Sequence, residues 1–403
     1  MQKGEDMNRI QKDGVADVEL KLTWESPEAR HTEVLRAPQL NFWRDMLPPE
    51  MAEGLMGKTV GETVAVTVGD HFPAYRPGDM ITVKRSRLSR RAPDPPRQGR
   101  FYPKGLLNHV TGVFPQNIEP FRCINVQNGH MEADLNHPLA QKQARLEATI
   151  LGIDGKKSER GGTVIDWLEA VSEGPGMQAR WSGAPTDFFS DDPFGRDDEA
   201  ADGDFYREPR FVQHLDSAAV EVVSSLYGRL VGEGSRVLDL MSSWTSHLPE
   251  NLRVSRLTGL GMNMAELEKN SRLTDRTVHD LNKNPALPYP SDAFDTILCT
   301  VSVEYLVHPE AVFDELARVL RPGGVAVMTF SNRWFPPKSI RIWKELHEFE
   351  RMGLVLEYFE RTGRFQDLET LSMRGIPRPW DDKYFPQMRF SDPVYAVWGR
   401  KRV

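Results

Sequence analysis

The chain is poor in cysteine, has no long apolar run and lacks the common phosphate-binding glycine signatures, and each shortage removes a class of function. Its two cysteines, Cys123 and Cys299, lie far apart with no CxxC or Cys/His spacing. That excludes a disulfide framework and a zinc site, leaves reduced and buried thiols, and predicts no bound metal. No uninterrupted apolar stretch approaches the roughly 20 residues of a membrane span. The opening Met1-Gln2-Lys3-Gly4-Glu5-Asp6 is not followed by the apolar core and small-residue cleavage site of a secretory signal. A cytoplasmic location without membrane attachment is the expectation. Neither GxGxxG nor GxxxxGK followed by Ser or Thr comes after a strand-like run, which disfavours a dinucleotide or nucleoside triphosphate on such a loop. A formal net charge of -7 makes nucleic acid an unlikely partner for the whole chain, since that affinity depends on neutralising phosphates.

The charge that is present is unevenly distributed. A basic stretch contains Lys84, Arg85, Arg87, Arg90, Arg91, Arg97 and Arg100 and reads as a solvated loop or as the surface for an acidic partner such as the chain's own acidic stretch, which contains Asp191, Asp192, Asp197, Asp198, Glu199, Asp202 and Asp204. With 403 residues there is room for two or three cores. Residues 1–15 are expected to be disordered, 16–153 to form a β-rich domain, 154–210 an acidic connector, and 211–403 an α/β domain. The connector is rich in Gly, Pro and Ser. Its aromatics Trp181, Phe188, Phe189, Phe194, Phe205 and Tyr206 are too many for a solvated linker and predict a lid or arm packed on the α/β domain.

Leu215, Ala219, Val222, Val223, Leu226 and Leu230 recur at helical spacing, with Asp216 or Ser217 as cap. Short apolar runs come next at 237–240, 257–260, 277–280, 294–300 and 325–330, with helical or turn-like stretches between. That alternation predicts a mostly parallel sheet with helices on both faces. A helical stripe from Val312 to Leu320 ends at Arg321-Pro322-Gly323-Gly324. In such a sheet ligands bind beyond the carboxyl ends of the strands where strand order reverses, so the loop after Leu240 is the candidate site.

Three motifs in order carry a resemblance: Val237-Leu238-Asp239-Leu240; Leu287-Pro288-Tyr289-Pro290-Ser291-Asp292-Ala293-Phe294-Asp295; and Glu315-Leu316-Ala317-Arg318-Val319-Leu320-Arg321-Pro322-Gly323-Gly324. Together they resemble class I S-adenosylmethionine (SAM) methyltransferases of the Rossmann-like type, methyltransferase type 11 in particular. The resemblance implies SAM as cofactor, with Asp239, Leu240, Met241, Ser242 and Ser243 at its methionine end. Gly261, Met262 and Asn263 would stand at the ribose, Asp280 and Leu281 at the adenine, and Ser302, Glu304 and Tyr305 in the cofactor and acceptor pocket. If the acceptor requires a base, His247, Glu304, Tyr305 and His308 are candidates by position. The sequence departs from the family twice. Met241-Ser242-Ser243-Trp244-Thr245 replaces the glycine-rich loop, and Gly261 stands where the family has its ribose carboxylate, leaving Asn263 or Glu266 to compensate.

The amino-terminal part shows strand-like alternation at 18–22 and 64–68, glycines at turns and a short helix signal over 49–56. Met51-Ala52-Glu53-Gly54-Leu55-Met56-Gly57, Phe101-Tyr102-Pro103-Lys104-Gly105 and Asn136-His137-Pro138-Leu139-Ala140 resemble FKBP-type prolyl isomerases (rotamases) that carry a chaperone flap insert, here around 77–134. That resemblance implies an α+β fold and a prolyl-peptide pocket including Met51, Leu55, Tyr75 and Leu146. The family's first-strand tyrosine falls near Leu22 and its pocket aspartate near Glu33. Unfolded or proline-containing polypeptide would be the partner there. Two functions are compatible with these features: a methyltransferase acting on a small molecule or protein segment, or a folding or scaffold protein with a client-binding FKBP-like half and a non-catalytic Rossmann-like half.

Overall fold

A computed structural model describes residues 8–69, 72, 74–92, 95–156 and 161–403. The chain forms two compact units, one running to Ser190 and including His347–Gly353, the other comprising Asp191–Leu346 and Leu354–Val403. The connector expected over 154–210 is thus divided between them. Of the stretch expected to be disordered, residues 1–7 lie outside the described residues; beyond them Ile10 is already buried and the first strand begins at Gly14.

The first unit is an antiparallel sheet with a smaller sheet inserted into its connectivity. Its elements are β1 (Gly14–Glu25), β2 (Arg30–Asn41), α1 (Pro49–Leu55), β3 (Thr63–Thr67), β4 (Met80–Lys84), β5 (Phe101–Pro103), β6 (Pro120–Gln127), β7 (His130–Asp134), β8 (Ala144–Lys156) and α2 (Trp167–Ser172). The main sheet runs β2-β1-β8-β3 with antiparallel neighbours. Along β1 the even-numbered Val18, Leu20, Leu22 and Trp24 are buried, which is the period of a strand with one face on a core. The inserted sheet runs β4-β7-β6-β5 and has its own small core around Val83, Phe121 and Met131. Proline at the first position starts α1, which buries Met51 and Leu55. The Asp166 carboxylate caps α2 by accepting from Leu168 and Glu169 N–H at 3.0 and 3.1 Å.

The basic stretch is not uniformly solvated. Arg100 is 3% exposed, and its Nε lies 3.0 Å from Glu350 Oε1, which also accepts from the Phe101 N–H at 2.9 Å. A buried guanidinium requires such a partner.

The second unit contains α3 (Asp202–Phe205), α4 (Ser217–Leu230), β9 (Arg236–Leu240), β10 (Arg256–Gly261), α5 (Met264–Lys269), β11 (Asp275–Val278), β12 (Phe294–Thr300), α6 (Pro309–Val319), β13 (Leu320–Phe330), α7 (Arg341–Glu345), most of α8 (Glu348–Thr362), β14 (Phe365–Arg374) and β15 (Val394–Lys401). Its strands run β11-β10-β9-β12-β13-β15-β14. The first five are mutually parallel, and β15 is antiparallel to both neighbours. Asp216 caps α4, accepting from Ala219 N–H at 3.0 Å. Two strand limits differ from expectation: β11 ends at Val278, two residues before Asp280, and β13 begins at Leu320, because the Pro-Gly turn bulges within the pairing to β12 instead of preceding it. Cys123 and Cys299 are buried and free.

Candidate functional site

In the second unit the chain moves outward from β9 through β10 to β11 and then returns to the other side of β9 with β12. The loops leaving the carboxyl ends of β9 and β12 diverge, and a cleft of about 1190 Å³, counting the space open to solvent, lies there.

Both loops leave their strands in a conformation that side chains resist. Met241, directly after β9, has φ 56°, and Val301, directly after β12, has φ 43°. Left-handed backbone costs an L-residue about 1–2 kcal/mol, and a β-branched one is seldom found there. Met241 stands where a glycine-rich loop would begin, so the loop keeps a glycine's backbone shape without the glycine. Two such residues on adjacent strands, both lining one cleft, mark a place where the surrounding fold imposes a geometry.

The loop after β9 is fastened by its serines. Ser242 Oγ donates to Asp239 Oδ2 at 2.6 Å, and Ser242 N donates to the Leu260 carbonyl at 2.7 Å. Ser243 Oγ donates to Glu266 Oε2 at 2.6 Å. Burial pushes the Asp239 carboxyl up to about 6, opposed by hydrogen bonds from Ser242 and Ser246. The Ser242 carbonyl presses so closely on Gly261 that a Cβ there would collide with it, which is why the strand end has glycine in place of a carboxylate. Asn263 is fully engaged: its Oδ1 accepts from Glu266 N–H at 3.2 Å as the cap of α5, and its Nδ2 donates to the Tyr206 and Arg207 carbonyls. Glu266 lines the cleft and accepts one further bond, from Arg210 N–H at 2.7 Å.

Beyond β11, Asp280 folds its own loop, Oδ1 accepting from Asn282 and Lys283 N–H at 3.0 and 3.1 Å. Its Oδ2 accepts nothing among the described residues, and it lines the cleft beside the buried Leu281.

The remaining wall comes from the segment before α4. Asp202 accepts from Arg196 Nη1 at 2.7 and 2.9 Å and from Asn282 Nδ2 at 2.8 Å. Lys338, fully buried, donates to the Ala200 carbonyl at 2.6 Å and lies 3.3 Å from Asp202 Oδ1. Tyr206, Arg210 and His214 come next along the cleft. The arm expected from the connector's aromatics is present here through Phe205 and Tyr206, whereas Trp181, Phe188 and Phe189 belong to the first unit.

Asp239, Met241, Ser242, Ser243, His247, Gly261, Met262, Asn263, Asp280, Leu281, Ser302 and Tyr305 all line this one cleft. Leu240 and Glu304 do not: Leu240 is core, and Glu304 is 1% exposed and outside the lining. His308, exposed at the start of α6, is also outside it. Tyr305 is unsuited to being a base, since burial pushes its phenol well above the ordinary range and its oxygen accepts from Phe335 N–H at 2.8 Å. His247 is pushed down to about 4, first by burial and then by His214, so it is neutral at pH 7 but a weak base. Sequence reasoning missed Arg210, His214, His279 and Phe335. The first two precede α4 and belong to no sheet motif; only the fold brings them to the strand ends.

In the first unit, Met51, Leu55 and Leu146 are completely buried and Tyr75 is half-buried. Glu33 is buried as well, accepting from Trp24 Nε1 at 3.3 Å and from Gln178 Nε2 at 2.8 Å. Gln178 belongs to an irregular buried segment, 174–179, whose Gly176 and Ala179 carbonyls accept from Arg122 Nη2 at 3.1 and 2.9 Å. Met51, Leu55 and Leu146 therefore present no open surface and the chain's own segment lies over Glu33, whereas Tyr75 stays partly exposed.

Residues 242–328 match the family model described as a methyltransferase domain. Among curated relatives, methyltransferase GfsG of Streptomyces halstedii is 32% identical over 129 residues, covering 30% of this chain and 46% of that protein. The chloroplastic 2-methyl-6-phytyl-1,4-hydroquinone methyltransferase 2 of rice (Oryza sativa subsp. japonica) is 26% identical over 194 residues, covering 40% of this chain and 54% of that protein. The chain thus spans about half the length of the curated relatives it matches. Among solved structures, an S-adenosylmethionine-dependent methyltransferase from Mesorhizobium loti is 17% identical, covers 44% of this chain and 96% of its own, and gives a TM-score of 0.29. Residues 242–328 therefore resemble a methyltransferase domain, and the cofactor that this resemblance implies is S-adenosylmethionine.

Proposed function

We propose that the second unit transfers a methyl group from S-adenosylmethionine to a small acceptor, and that the first is an FKBP-like unit. The observation that carries the first part is the cleft after β9 and β12, where Met241 and Val301 hold strained backbone next to an Asp280 oxygen with no partner among the described residues.

Bound SAM supplies a methyl group already activated on a sulfonium, so alignment does most of the work and no elaborate acid–base apparatus is required. Asp280 would hold the adenine end through its unpartnered Oδ2, beside Leu281 in the cleft lining. Glu266 would face the ribose hydroxyls with the lone pairs left on its carboxylate after the bonds from Arg210 N–H and Ser243 Oγ, because Gly261 has no carboxylate and Asn263 is already engaged. The loop Met241–Ser243 would hold the methionine end. His247, neutral at pH 7 but a weak base at its lowered pKa, would take a proton from an oxygen or nitrogen acceptor only as the methyl group transfers. Titration calorimetry with S-adenosylhomocysteine is expected to show one micromolar site on the full chain. No heat at millimolar ligand would sink the proposal and favour the scaffold reading.

For the first unit, the support is an antiparallel sheet with a short helix after its second strand and a small sheet inserted between β3 and β8. Since the segment 174–179 lies over Glu33 and the apolar pocket positions are closed, little acceleration of prolyl-peptide isomerisation is expected. Turnover well above the uncatalysed rate would contradict this.

A further inference from the structure

Among the described residues the cleft contains one arginine, and it differs from the carboxylate-paired arginines of the second unit. Arg196, Arg236, Arg318 and Arg378 each pair with a carboxylate within 3.0 Å. Arg210 pairs with none among the described residues. Its guanidinium lies 4.3, 5.6 and 5.3 Å from the ring centres of Phe205, Tyr206 and Phe335, and Nη2 donates to the Phe205 carbonyl at 2.9 Å. Aromatic faces hold a cation in place without cancelling its charge. Arginine has five N–H donors in a planar fork, and a single carbonyl leaves most of that fork unused.

The surrounding charges do not consume it. Asp202 is committed to Arg196 and Lys338, Asp239 to Ser242, and Glu266 to Ser243 and the Arg210 backbone. His247 and His214 are pushed down by burial and add no full positive charge at neutral pH. The fork is held beside flat apolar rings, in a wall that the sheet's own motifs do not supply.

We propose that Arg210 is the specificity determinant for the methyl acceptor, and that the acceptor is a small aromatic carboxylic acid whose carboxylate is bound by the guanidinium. A planar carboxylate matches the fork by paired hydrogen bonds, and the acid's ring has Phe335 and Tyr206 as apolar neighbours. That the bound acid is a methyl acceptor rests on the methyltransferase reading, whereas its recognition by Arg210 does not.

The test compares 4-hydroxybenzoate with 4-hydroxybenzamide by titration into the full chain, with and without S-adenosylhomocysteine, in the native protein and in Arg210→Gln. The expected result is at least tenfold tighter binding of the acid, an advantage lost in Arg210→Gln and partly kept in Arg210→Lys, with the cooperative melting transition retained in both variants. Equal binding of acid and amide, or no binding of the acid, overturns the proposal. A second arm uses S-adenosylhomocysteine and 5′-methylthioadenosine, which lacks the amino-acid carboxylate. If Arg210→Gln weakens only the former, the arginine serves the cofactor and the proposal falls. If the native chain binds neither nucleoside, the methyltransferase reading fails while the acid–amide comparison still decides Arg210.

Discussion

Asp239 concentrates the chemistry of the cleft in one side chain. Its folded-state pKa of about 6 lies above the ordinary 3.8, so the folded chain holds this proton more tightly than the unfolded chain does. The resulting stability is fully present below the unfolded value and is lost as pH rises through about 6. Asp239→Asn is therefore expected to raise stability by about 3 kcal/mol at pH 8, with the gain shrinking toward zero near pH 4. Denaturant unfolding at the two pH values reads this directly, and a pH-independent difference would refute it. Gly261 gives a second expectation. Gly261→Asp would restore the carboxylate typical of the family, yet the Ser242 carbonyl fills the space a Cβ needs. The variant is expected to lose about 1–3 kcal/mol through overpacking and to bind S-adenosylhomocysteine more weakly, not more tightly. Calorimetry showing improved affinity would mean that the loop yields.

The arm before α4 is held by polar clips more than by a continuous core. Lys338 joins the Asp198 and Ala200 carbonyls and the Asp198 and Asp202 carboxylates, while Arg196 and Asn282 hold Asp202 from other directions. Lys338→Met keeps the stem and removes the charge, leaving buried acceptors without their donor. Breaking one side of such a buried network costs about 3–5 kcal/mol. The expected outcome is faster hydrogen exchange at amides 198–206 with β9 and β12 still protected. Uniform loosening of the sheet would instead mean that Lys338 supports the whole unit. Element limits show where sequence signals were weak: α2 has six residues and sits in a stretch with no sustained period, and β11 stops early because Asp280 uses its side chain to turn the backbone.

For the molecule as a whole, the sequence determined the second unit's plan. Apolar runs of strand length separated by amphipathic stripes, with the stop at Arg321-Pro322-Gly323-Gly324, require a parallel sheet whose first strand ends at Leu240, because local patterning must agree with burial along each element. It also showed two cysteines too far apart in sequence for a disulfide framework, and both are free in the fold. Tertiary structure alone decided what lines the cleft. Arg210 and His214 reach the strand ends because the arm folds back, Glu304 is buried because its turn packs inward, and Met51, Leu55 and Leu146 close into a core. Each depends on contacts between residues distant along the chain, and neither period nor composition encodes which of two buried neighbours faces a cavity. Gly261 shows the division in one residue: the sequence shows the missing carboxylate, and only the approach of the Ser242 carbonyl explains it.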